Sequence, residues 1–374
     1  MRNALFAIVL LLCFCCAPLP CRAAEALPDK QLELVDFEGI NVIVGQSDNE
    51  SVRNLDLATL ARQAISGELD LSPVHLADML ITGLAGEAAG LLSMLRHMVL
   101  LALLGAVFKE LSASFRQKGV SELGFYVHFL LMLSVLLSSF SLCLGITQSL
   151  VGELCAFMLA AQPVLIGLVT ASGNVAAAFA FAPLLLSAVN IIAFFIDRLL
   201  APVITMAAVL QIVNCLSERA GLEKLSLLLQ NGLRWALGLT ATAFVAVLSI
   251  QRISAPAANT AVARTAKLAV NAIPVVGATL VNAVDTVAVW SGAVRSGVMI
   301  AVVLALVLLC AVPLLKLAAF ALVYKLTAAL LQPISDPRIG KAVDAAGSFA
   351  GLLLGAAAVV SVMFIFMIML MLSV

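Results

Sequence analysis

Charge is what this chain has least of. Asp, Glu, Lys and Arg make up only 11% of its residues, against 63% hydrophobic, a balance far outside that of soluble domains. Histidine is rarer still, with three copies far apart. Cys13, Cys15, Cys16 and Cys21 sit in or beside the first apolar run, while Cys143, Cys155, Cys215 and Cys310 are scattered through later ones. No Cys/His cluster with metal-ligand spacing exists, so neither a metal site nor a thiol nucleophile is indicated. The polar stretch 25–90 has no cysteine for a disulfide. No GxxxxGK[ST] arrangement is present, which excludes nucleotide hydrolysis by a phosphate loop. Basic residues occur singly, without an aromatic-rich platform, so nucleic-acid binding has no support. The reading is of a protein that is not an enzyme and takes no cofactor and no metal.

Apolar runs near the length of a bilayer crossing are abundant. They define an all-α polytopic membrane protein: a signal peptide, a small acidic extracytoplasmic domain, then a helical bundle with a possible internal repeat. The formal net charge of zero hides a split. Residues 25–90 carry 12 acidic and 3 basic residues, and the chain from Leu91 carries 9 and 16.

Arg2, the short apolar run 4–17 and the small residues Ala23-Ala24 make a secretory signal pattern over 1–24, with a retained anchor as the alternative. Residues 25–90 then form the acidic extracytoplasmic domain. Its first half, LELVDFEGINVIVGQSDNE, has no sustained period and reads as loop. Leu55–Ile65 has helical spacing, and Ser72-Pro73 is a good helix start. About 65 residues with few aromatics bury little core, so the domain is a docking surface more than an enzyme. A two-span unit follows at 91–153, with Arg96-His97 in the first span, then a membrane repeat at 154–251 and a second at 252–374. Spans are expected at about 91–108, 125–145, 154–170, 176–196, 199–216, 233–250, 268–284, 289–310, 313–331 and 349–370, with Asp197-Arg198 in a turn. Basic residues near membrane ends place 109–124, 217–232 and 332–348 in the cytosol, and 252–267 is the contrary signal. Because some segments are broken, the count stays between six and ten.

The stretch from Arg264 to Thr286 shows the break. Pro274 has no amide donor, so a helix must kink or stop there, and Gly277 follows. In lipid the freed backbone groups need protein or cavity water. Pro163-Val-Leu-Ile-Gly167 lies 111 residues earlier, and the same offset carries Pro202 onto Pro313 and Ala207-Ala208 onto Ala318-Ala319. After a short insertion Gly232 meets Gly347. The pattern suggests related halves, 155–251 and 266–370, against chance in Ala/Leu/Val-rich sequence. Paired Gly/Pro-interrupted segments point to a transport-type site. The candidate conduit or hinge residues are Pro163, Gly167, Gly173, Asn174, Pro274, Gly277, Asn282, Asp285, Arg295 and Lys316. Each has a plainer reading. Asp285 and Arg295 sit at the edge of a connection, Lys325 rather than the deeper Lys316 anchors its helix end, and the small residues allow close packing.

The motifs Arg264-Thr-Ala-Lys267, Pro274-Val-Val-Gly277 and Asp285-Thr286 resemble the stage III sporulation protein AE family of endospore-forming bacteria. Ser172-Gly173-Asn174, Leu216-Ser217-Glu218, Tyr324-Lys325-Leu326 and Gln332-Pro333 add to the likeness. This resemblance implies a mother-cell membrane subunit of a channel-like, secretion-like assembly. Its partners would be the other membrane and ring proteins of the same sporulation operon, membrane lipid, and a forespore channel protein across the intermembrane space. The family supplies no catalytic residues. Two functions follow: an export-gate-like, transport-related subunit, or a scaffold that recruits ring-forming partners.

Overall fold

The computed structural model describes residues 37–46, 53, 56–66, 118–171, 187, 189–215, 224–246, 277–333 and 335–373, with 90, 92–93, 96–97, 99–100, 103–104 and 107 between. Among them there is no strand. The helices are α1 (Glu38–Gly45), α2 (Leu57–Ser66), α3 (Lys118–Ala171), α4 (Val189–Asn214), α5 (224–246), α6 (Gly277–Leu331) and α7 (Pro337–Ser373). Stretches of α3, α4, α6 and α7 are long and apolar enough to cross a membrane.

α3 shows how an all-apolar helix still chooses a face. Phe129, Met132, Leu136, Phe140, Cys143, Thr147, Leu150, Leu154, Phe157, Ala161, Leu165 and Leu168 are buried, three or four residues apart. That is the seam spacing of helices packed at shallow angles. Leu130, Leu131, Leu142 and Leu159, on the other side, are exposed. In lipid no hydrophobic force separates these two faces, so close van der Waals fit decides. α7 supplies that fit with small residues, including Ala342, Ala346, Ala350, Ala356 and Ala357, all buried.

The central body is α3, α6 and α7, with α4 against α7 and α3. α6 and α7 form an antiparallel hairpin whose turn has a local cause. Asp336 caps α7: its Oδ1 accepts the Arg338 N–H at 3.0 Å, and its carbonyl accepts Ile339 N–H at 3.0 Å. Pro337 occupies the first helical position, where its missing donor costs nothing.

Several expected connections are helix instead. The loop at 146–153 and the junction at 311–312 lie inside α3 and α6, and most of 332–348 belongs to α7. The boundary expected between 153 and 154 therefore falls within one helix. Pro163 and Pro313 are both accommodated inside continuous helices. Each proline removes one donor, but the rest of the ladder and the packed seam hold the helix together. The expected turn at Asp197-Arg198 is likewise absent. α4 continues through it as a single π-turn, Ile196–Leu200. Pro202, two residues on, cannot bond the Arg198 carbonyl and its ring crowds it, and a π-turn absorbs such a defect without ending the helix.

The N-terminal region differs too. Residues 38–45, expected as loop, form α1. The Asn41-Val-Ile-Val run favours strand locally, yet Phe37, Ile40 and Val44 share one helical face and are buried. That face lies on α3, where Gly39 meets Ala160. α2 matches the expected helical spacing. It packs on α6 with Leu57, Ala61 and Ala64 buried.

Candidate functional site

Two contact layers and a strap define what the packed body can do. In the first layer Tyr324 of α6, fully buried, donates its hydroxyl hydrogen to Ser139 Oγ of α3 at 2.7 Å. Ser139 in turn donates to the Val135 and Leu136 carbonyls, and Cys143 stands beside the tyrosine. Across the hairpin Gly347 of α7 makes room. A Cβ there would stand 3.0 Å from Tyr324 Cβ and 3.3 Å from the Lys325 stem. Lys325 Nζ donates to Asp344 Oδ1 at 2.7 Å, the Asp344 carbonyl at 3.1 Å and Ser348 Oγ at 2.7 Å. An ammonium thus held has all three donors used.

The second layer lies one equal step along each helix, about 21 Å at 1.5 Å per residue. There Glu153 of α3 and Ser361 of α7 stand beside Cys310 of α6. The two layers give one register, antiparallel between α3 and α6. His128 and Ser335 are two buried side chains whose Nε2 and Oγ have no hydrogen-bond partner among the described residues. Near the second layer Asp197 approaches Cys155, and Arg198 Nε lies 3.5 Å from Asp197 Oδ2.

The strap is α1–α2. Asp56 caps α2, accepting from Ala58 N–H and Asn41 Nδ2 at 3.2 Å each, and from the Thr59 hydroxyl. The Asn41 side-chain Oδ1 accepts Leu57 N–H at 3.2 Å, which joins the two short helices. The Thr59 hydroxyl holds the Asp56 carboxyl below the usual carboxylate range against the opposing effect of burial, with these amides adding to the lowering. On α6 the strap rests at Gly297, where a Cβ would run into Ile65 Cγ1 and lie 3.1 Å from the Ala61 carbonyl. From Tyr324 to Gly297 α6 runs about 40 Å, so strap and α6–α7 turn occupy opposite ends of the body.

Of the residues singled out from sequence, the structure gives surroundings for Pro163, Gly167 and Lys316. Pro163 and Gly167 lie on the exposed side of α3, away from its packed seam. Lys316 is half-buried on α6. Gly277 is the first residue of α6, and Asn282, Asp285 and Arg295 follow on the same helix. Gly173, Asn174 and Pro274 lie outside the described residues. His97 donates Nδ1–H to the Ser93 carbonyl at 2.6 Å in its own helix. No group of three or more His, Cys, Asp or Glu among the described residues is arranged to hold a metal ion. The Tyr324/Ser139 and Lys325/Asp344 layer was missed as a site, though Tyr324-Lys325 and Gly347 were noted as motifs. Their sequence signal is a polar pair nine residues after Lys316 with small residues opposite, which only the hairpin register brings together.

An all-helical body with four apolar helices of crossing length defines a polytopic helical membrane protein. The profile of stage III sporulation protein AE matches residues 55–374, and the chain belongs to that family. A stage III sporulation protein AE of Bacillus subtilis (strain 168) is 29% identical to it over 301 residues, 80% of this chain and 75% of that one. No solved structure matches the chain.

Proposed function

We propose that this chain is a multi-pass membrane subunit of the mother cell-to-forespore channel complex, with its α6–α7 turn in the mother-cell cytosol and its α1–α2 strap on the intermembrane side. In this reading it is transport-related in the manner of an export gate. A passage would run along or between subunits, because the seam of one copy is packed. The observation that carries this is the α3–α6–α7 body itself. Its interior is apolar, and Thr147, Thr327 and Ser361 return their hydroxyls to carbonyls of their own helices at 2.7–2.9 Å. Pro163 and Gly167 face outward, where a neighbouring subunit would meet them. The strap supports the second reading, a scaffold. It offers ring-forming partners a fixed platform at one end, and Gly297 ties that platform to a membrane helix.

The partners in this proposal are the other membrane and ring proteins of the operon and the forespore channel protein across the intermembrane space. The test is a strain lacking the chain, scored for a late forespore reporter and for recovery of the ring proteins in one membrane complex. Loss of both, restored by the wild-type chain, is expected. Full reporter activity without the chain contradicts the proposal. Variants of the outward face at Pro163 and Gly167 separate the readings: failed reporter activity with the complex intact favours passage, and loss of the complex favours scaffold.

A further inference from the structure

The strap closes a ring of contacts. α1 lies on α3 and α2 on α6, while α3 and α6 pack directly on each other. Neither short helix has the length to stand alone. α1 has 8 residues and α2 has 10, fewer than the roughly 12–15 at which an isolated helix becomes marginal in water. Their order comes from their seats: Phe37, Ile40 and Val44 are buried in one, and Leu57, Ala61 and Ala64 in the other. The joint between the seats is polar and centred on Asn41. Its Nδ2 donates to Asp56 Oδ1 in the open, and its Oδ1 accepts Leu57 N–H, both at 3.2 Å. Asp56 also caps α2, so a side chain on α1 holds the residue that starts α2. Two sub-threshold helices with an exposed joint belong at the low-stability end of a molecule. The helices beneath them, α3 and α6, run for 54 and 55 residues.

We propose that α1–α2 is a clasp on the α3–α6 pair. It opens and closes as one unit through the Asn41–Asp56 joint, and its release from α3 is a step in the chain's role in the forespore. The coupling follows from linkage: a joint between two seats makes each seat stronger when the other is filled, and equally in both directions. With α1 on α3, Asn41 holds the first turn of α2 over α6. Without Asn41, each helix must find its seat by itself. At the turn end α3 and α6 are tied through the buried Tyr324–Ser139 bond, between long helices that cannot leave. The tie at the strap end is short and can. The opening rests on this geometry alone, and only its place in the chain's role rests on the proposed function. A deletion strain with full reporter activity sinks that function, whereas a locked strap with full activity sinks the clasp alone.

A disulfide supplies the lock. A Cβ at Gly39 would stand 4.0 Å from Ala160 Cβ, inside the disulfide range of about 3.5–4.5 Å. Gly39→Cys with Ala160→Cys, in a full chain without the native cysteines, therefore fixes α1 to α3 and leaves α2 untouched. In micelles, oxidation of the pair should slow amide exchange of α2 about tenfold, and Asn41→Ala should remove most of that gain. Should the pair fail to oxidise, Gly297→Ala gives the same reading from the other seat. It speeds exchange in α1 as well as α2, and in α2 alone once Asn41 is alanine. In sporulating cells the oxidised pair should lower the late forespore reporter about tenfold, and reduction or either single cysteine should restore it. Exchange of α2 that ignores the lock overturns the clasp. So do exchange of α1 that ignores Gly297→Ala and full reporter activity with the pair oxidised.

Discussion

Tyr324 and Ser139 form a buried pair whose two halves have unequal roles. Removing the Tyr324 hydroxyl leaves Ser139 still bonded to its own helix, whereas removing the Ser139 hydroxyl leaves the buried phenol only the weak sulfur acceptor of Cys143. Tyr324→Phe should therefore cost about 0.6 kcal/mol, typical of a hydrogen bond between membrane helices. Ser139→Ala should cost about 1–3 kcal/mol, the penalty for a buried unsatisfied donor. Unfolding of the purified chain in mixed micelles measures both, and equal effects would mean that Tyr324 has another acceptor. Asp56 carries the pH dependence of the strap. Its folded value is lowered, so its contribution is present above the unfolded carboxylate value of about 3.9 and is lost as pH falls through the lower, folded one. Protection of the α2 amides, taken relative to their intrinsic exchange, should be the same at neutral and mildly acidic pH, fall only below about pH 4, and lose that step in Asp56→Asn.

Among the described residues, helices are longer than apolar segmentation suggests, and the reason lies in what a proline does. Pro163, Pro202 and Pro313 look like punctuation in sequence, but tertiary packing carries the helix past all three. Helical spacing at 55–65 was legible because one side of α2 is polar. α3 and α6 were not legible as single elements, because their outer faces are as apolar as their inner ones and no period marks the seam. The cap Ser335-Asp336-Pro337 carries the same start signal that Ser72-Pro73 does, and it was hidden within a stretch expected to be loop. The candidate site was less legible than the fold, because Gly347, Tyr324 and Ser139 come together only through a hairpin register. Gly297 gives a prediction at this scale. Gly297→Ala drives a methyl into Ile65 and towards the Ala61 carbonyl, so α2 must lift from α6 and its amides should exchange faster. Adding Ile65→Ala should restore much of the protection by removing the obstructing side chain. Unchanged exchange in Gly297→Ala would show that α2 has another seat.

For the whole molecule, the consequence is a body with two ends. The α6–α7 turn, the Lys325–Asp344 contact and the Tyr324 layer occupy one end, and the strap occupies the other, with apolar helices between them. The distance of about 40 Å from Tyr324 to Gly297 matches a bilayer with its headgroups. On the proposed placement, such a molecule would hold partners on one side in fixed relation to the cytosol on the other, whichever of gate or scaffold is its role. The paired halves 155–251 and 266–370 belong to this scale as well. If they are related, α4–α5 and α6–α7 superpose in order and direction with Pro202 on Pro313, as a structure of the assembled complex would show.

The most direct test is sidedness. In a cysteine-free background, Gln63→Cys on the strap and Lys341→Cys on the first turns of α7 would each be exposed to a membrane-impermeant maleimide. Intact cells carrying the chain in their cytoplasmic membrane should label position 63 at once, and position 341 only after permeabilisation. Labelling of both positions from the same side, or of position 341 alone in intact cells, would contradict the account.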